Sequence, residues 1–134
     1  MWAARRINGH RMFNAVAAER APAPDPQLLP FVTWTYGDNI TGWGALLGDT
    51  AGTDRVSQYA AAARADDLTG LPPTYLDTGD LDIFRDEDIT YARRLVAAGV
   101  PTELHLHPGC PHAFEGLAGG ADVSRRAISD WIRR

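Results

Sequence analysis

The sequence predicts an α/β fold, and three observations predict it. Two short runs rich in β-branched and aromatic residues, 74–78 (TYLDT) and 102–107 (TELHLH), are fenced by turn residues: Pro72 and Pro73 before the first, Gly79 and Asp80 after it, Pro108 and Gly109 after the second. Between them lies a helical pattern that ends at Gly99, with Pro101 barring its continuation. Strand, helix and strand in so short a stretch make a βαβ unit, whose strands run parallel and whose crossover is right-handed. The third observation is an acid and a histidine, Asp82 and His112, just past the ends of the two runs. Parallel strands end at one edge of the sheet, and open α/β sheets place their chemistry outside that edge.

Taken in order, residues 1–21 scatter Arg5, Arg6, Arg11 and Arg20 among alanines, with weak helical periodicity in Ile7, Phe13 and Val16. They read as a loosely docked helix; Glu19 and the short length argue against an Arg-rich targeting segment. Pro22, Pro24, Pro26 and Pro30 then make an extended linker. A helix capped by Asp38 or Asn39 starts at Ile40, carries Trp43, Leu46 and Leu47 on its apolar face and ends at Gly48. Gly42 and Gly44 weaken it, so it depends on tertiary packing. Residues 49–70 are loop, with a helical turn or two around 59–65. In the βαβ helix, Asp86, Glu87 and Asp88 sit in the first turn, where the dipole favours negative charge, and Ile89, Ala92, Leu95 and Val96 form the apolar face. A last helix opens at Ala121 or Asp122, turns Val123, Ala127, Ile128 and Trp131 inward and leaves Arg125, Arg126, Arg133 and Arg134 in water.

Asp82 and His112 are 30 residues apart, about the length of one βαβ unit. A carboxylate on one strand-end loop and an imidazole on the next come within hydrogen-bonding reach. The carboxylate then fixes the imidazole tautomer and stabilises its charged form, which is the second half of a nucleophile–histidine–acid triad. The chain order, acid then histidine, is also that of the α/β-hydrolases.

Four other constellations invite chemistry. Residues 48–52 read G-x-T-x-G and imitate a nucleophile elbow with Thr50, but the elbow must follow a strand and here the preceding residues look helical. His105, His107, Cys110 and His112 form H-x-H-x₂-C-x-H, a spacing that fits no common zinc pattern. Asp80, Asp82, Asp86, Glu87 and Asp88 resemble a cation cluster, yet Asp82 is claimed by His112 and residues 86–88 by the helix terminus. Cys110 lies too close to His112 along the chain for in-line attack and reads as a small loop residue. No metal and no cofactor are expected.

Composition narrows the classes further. A net charge of −4 and an isoelectric point near 5.4 provide no basic footprint for nucleic acid or anionic lipid. No apolar run is long enough to span a bilayer, and no signal-peptide core is present, so the expected location is cytoplasmic. A single cysteine rules out an intramolecular disulfide.

The stretches LPPTYLDTGDLDIFRDE (residues 71–87), AGVPTELHLHPG (98–109) and PHAF (111–114) resemble the C-terminal part of the hormone-sensitive-lipase-like esterases, the α/β-hydrolase fold-3 group. WTYGDNITGWGALLGD (34–49) and VSQYAAAARADDLTGLPP (56–73) are also similar to that group, so the resemblance spans residues 31–134 and leaves 1–30 as an unmatched segment and Pro-rich linker. It implies a partial α/β-hydrolase fold: the last parallel strands, their crossover helix and the C-terminal helices. By the same resemblance Asp82 is the triad acid and His112 the triad histidine of a carboxylic-ester hydrolase acting on small-molecule esters. Ala113 departs from the glycine usual in the group and adds a methyl beside the histidine. Neither the G-x-S-x-G serine nor an HGGG oxyanion loop occurs; Ser57, Ser124 and Ser129 lack the glycine context. The expectation is therefore an interrupted or truncated esterase that is inactive alone, against the alternative of a non-catalytic fragment or interaction module. The strand at 74–78 would lose a neighbour and expose Tyr75, Leu76, Leu104 and Leu106, so the isolated chain should self-associate or fold loosely.

Overall fold

The computed structural model of the chain describes residues 23–132. The segment read at 1–21 lies outside them, as do Pro22, Arg133 and Arg134. In chain order the elements are α1 (Tyr36–Leu47), β1 (Thr74–Gly79), α2 (Arg85–Ala97), β2 (Thr102–His107), the single turn α3 (Phe114–Leu117) and α4 (Asp122–Ile132). β1 and β2 pair in parallel, from Thr74 opposite Thr102 to Gly79 opposite His107. The βαβ unit is the one the sequence predicts, with β2 as expected and β1 one residue longer, to Gly79.

α2 closes as its sequence requires. Gly99 adopts φ +75°; its N–H reaches the Val96 carbonyl, and the Val100 N–H reaches that of Leu95. This paired arrangement satisfies the last carbonyls and seats Val100 on Leu95, both buried. The helix packs one face of the sheet through Tyr91, Ala92 and Leu95 against Leu76, with Leu68 and Ala65 closing the cluster. Burying a leucine of this kind contributes roughly 1.5–3 kcal/mol. Two details of the expected face change. Asp88 is turned inward and buried, whereas Val96 is 61% exposed.

α1 starts four residues before the position expected from sequence. Thr35 is its N-cap: the Thr35 hydroxyl accepts the Asp38 N–H at 3.1 Å, and the Asp38 carboxylate accepts the Thr35 N–H at 2.9 Å. The Thr35 backbone N–H, and after it the Thr35 hydroxyl donating to the same carboxylate at 2.7 Å, hold the Asp38 carboxyl below the usual carboxylate range. Tyr36, Asn39 and Trp43 face inward; Leu46 is exposed, and Gly48 ends the helix at φ +52°. The extended linker is corrected as well. Residues 26–31 form turns, with the Leu28 and Leu29 N–H groups on the Asp25 carbonyl and Leu28 itself buried. A leucine among the prolines, carried into the core, outweighs their preference for extension.

α4 lies on the other face of the sheet. Ser124 and Ala127 are buried, Val123, Ile128 and Trp131 half-buried, and the Trp131 Nε1–H donates to Asp77 of β1 at 2.6 Å. Tyr75 on this face and Leu76 on the α2 face are both covered rather than exposed; Leu104 is half-buried, and only Leu106 of the four stands out, at 44% exposure. The outer edge of β1 pairs with no strand among the described residues. No described helix is long and apolar enough to cross a membrane.

Candidate active site

Past β1 the chain turns sharply. Gly79 lets the other strand-end loop come close, because a Cβ there would lie 1.9 Å from the Cys110 carbonyl oxygen. The two strand-end loops therefore touch backbone to backbone, and the Leu81 N–H donates to that same carbonyl at 3.1 Å. Asp82 then bridges two tasks. One carboxylate oxygen accepts the Phe84 N–H at 3.0 Å and turns the chain into α2; the other lies 3.0 Å from Nδ1 of His112. A carboxylate can only accept, so Nδ1 carries the proton and Nε2 presents its lone pair. Nε2 makes no hydrogen bond to a described residue.

Burial makes this contact a firm one. The Asp82 side chain is 3% exposed and that of His112 15%, so water competes little for the bond. Phe84 meets the imidazole edge-on, with ring centroids 5.4 Å apart, and Trp34 stands tilted on it at 6.0 Å. The Thr33 hydroxyl donates to the His112 carbonyl at 2.7 Å, so the segment before α1 grips the histidine from across the fold. Ala113, next along, holds φ +56°, the only non-glycine residue with positive φ among those described. Beside Asp82, a cleft of about 550 Å³ opens between residues 23–36 and α2, lined in part by Leu28, Tyr36, Arg85 and Tyr91.

The remaining constellations are dispersed. Thr50 sits in a tight turn directly after α1, with its hydroxyl on the Leu47 carbonyl; no strand leads into it, and no elbow forms. His105 is engaged by Glu103 at 2.8 Å and stands 3.6 Å from Asp130; His107 lies 3.6 Å from Asp77; the Cys110 thiol faces the Pro108 carbonyl. Burial pushes that thiol up from its ordinary pKa. Among the described residues no three His, Cys, Asp or Glu side chains are grouped to hold a metal ion. Of the acidic residues, Asp80 accepts the Gly109 N–H, Asp86 pairs with Arg85, and Asp88 is buried. Thr33, Trp34 and Phe84 were not singled out from the sequence. Trp34 and Phe84 stand in stretches that resemble the family and Thr33 just before one, but nothing in the sequence pairs Thr33 with His112, 79 residues away.

A family model described as an alpha/beta hydrolase fold matches residues 7–116. The chain is 42% identical over 69 residues to the esterase LipI of Mycobacterium tuberculosis, an overlap of 52% of this chain and 22% of that protein. It is 33% identical over 67 residues to the hormone-sensitive lipase of Bos taurus, covering 50% of this chain and 9% of the lipase. Among solved structures, one titled a bacterial heroin esterase superposes with a TM-score of 0.70 at 46% identity, over 75% of this chain and 32% of that one. The chain thus spans about a fifth of the esterase's length and a third of the solved structure's.

Proposed function

Because the chain belongs to the α/β-hydrolase fold family, we propose that Asp82 and His112 are the acid and the histidine of a carboxylic-ester hydrolase site. The observation that carries this reading is the buried 3.0 Å contact between them at the shared edge of two parallel strands. A serine on a G-x-S-x-G elbow would complete it, and no such motif occurs within these 134 residues. His112 Nε2 takes the serine proton as the oxygen attacks the ester carbonyl, and returns it to the departing alcohol; water then repeats the exchange on the acyl-enzyme. Asp82 keeps Nδ1 protonated and stabilises the imidazolium in both halves. Phe84 and Trp34 fix the plane of the ring.

A chimera tests this. In the heroin esterase, 46% identical to this chain, the matching segment is replaced by the corresponding residues from this sequence. The chimera is expected to hydrolyse p-nitrophenyl acetate, with kcat falling by roughly 10³–10⁴ on Asp82→Asn and by at least as much on His112→Ala. The 134-residue chain alone is expected to show no rate above its own His112→Ala control. A chimera that melts cooperatively yet is inactive would favour the second reading, an interaction module, which the unpaired β1 edge supports.

A further inference from the structure

We propose that Asp80 is a positioning residue for the acid–histidine pair: its carboxylate clasps the turn that carries His112 to the loop that carries Asp82. This rests on the reading of those two residues given above. A parallel ladder fixes nothing beyond its last paired residues, yet here the two loops stay in register after the strands end. The Asp80 N–H closes the ladder on the His107 carbonyl at 3.1 Å. The Asp80 carboxylate then accepts the Gly109 N–H at 2.7 Å, a bond strengthened by charge. Arg85 of α2 donates to the Asp80 carbonyl at 2.9 Å, so the residue is also held from the helix side. Asp80 precedes Asp82 by two residues and Gly109 precedes His112 by three. The clasp therefore sits on short arms from both reacting side chains, and a small rotation of either loop would open the 3.0 Å contact.

The test is proton and nitrogen-15 NMR of the 134-residue chain, following the hydrogen-bonded Nδ1 proton of His112. His112→Gln assigns the resonance, and Asp82→Ala tests its dependence on the carboxylate. Asp80→Ala is expected to abolish it while the chain still melts cooperatively. Asp80→Asn is expected to restore it, because the amide oxygen accepts the same Gly109 N–H. A resonance as sharp in Asp80→Ala as in the wild type would overturn the proposal. If Asp80→Ala does not fold, hydrogen exchange in the wild type decides. Gly109 is expected to exchange at least ten-fold more slowly than an open amide, and an unprotected Gly109 beside a sharp His112 resonance would overturn the proposal. A wild-type resonance that is missing, or indifferent to Asp82→Ala, would instead overturn the acid–histidine reading itself, and this inference with it.

Discussion

Two residues beside the site carry costs that single substitutions should expose. Ala113 holds φ +56° with a Cβ that crowds its own backbone, a conformation costing roughly 1–2 kcal/mol for a non-glycine residue. Glycine removes that strain but loses about 0.4–1 kcal/mol through the freer unfolded chain. Ala113→Gly is thus expected to stabilise the fold by roughly 0.5–1 kcal/mol in urea unfolding. Asp88 bears a different cost. Burial, reinforced by the charge of Glu87, pushes its carboxyl up to about 8 against the smaller opposing effect of the Thr78 hydroxyl. From the ordinary 3.8 to about 8 the folded chain holds a proton that the unfolded chain releases, so stability falls as pH rises through that window. Asp88→Asn keeps the shape without the charge. Its melting temperature should exceed that of the wild type by a margin that widens from pH 5 to pH 8.

The elements show which physical signals a sequence displays and which it hides. The βαβ unit was legible because its signals are local: β-branched runs, an acidic first turn, Gly99 then Pro101. The start of α1 was hidden by Asp38 and Asn39, each a plausible cap by type. Asp38 in fact answers Thr35 from inside the first turn, and Asn39 is buried. Thr35→Ala removes one side of that reciprocal pair and is expected to cost about 1 kcal/mol, measured by thermal or urea unfolding. The inward faces were only partly legible for a related reason. Tyr36, Asn39 and Asp88 are polar by type yet packed inside, while Leu46 and Val96 are apolar yet exposed. Which side of a helix is covered depends on neighbours distant in the chain.

For the molecule as a whole, the same distinction separates the pair from its surroundings. Asp82 and His112 could be found from strand ends alone, but Thr33, Trp34 and the role of Asp80 depend on loops meeting across the fold. The unpaired edge of β1 and the exposed Leu106 remain on the surface, and open edges of this kind recruit further strands. Sedimentation is expected to show concentration-dependent self-association, and a monodisperse monomer across the accessible range would count against it. The backbone contact at Gly79 has one more consequence, and it concerns time. Cys110, the chain's single cysteine, is 5% exposed, and its carbonyl is pressed against Gly79 in the loop that carries His112. Its side chain packs with Phe114 of α3 and Ala127 of α4, so a thiol reagent can reach it only when the loop parts from those helices. The labelling rate of Cys110 is therefore a clock for local opening of the histidine loop, readable without any substrate.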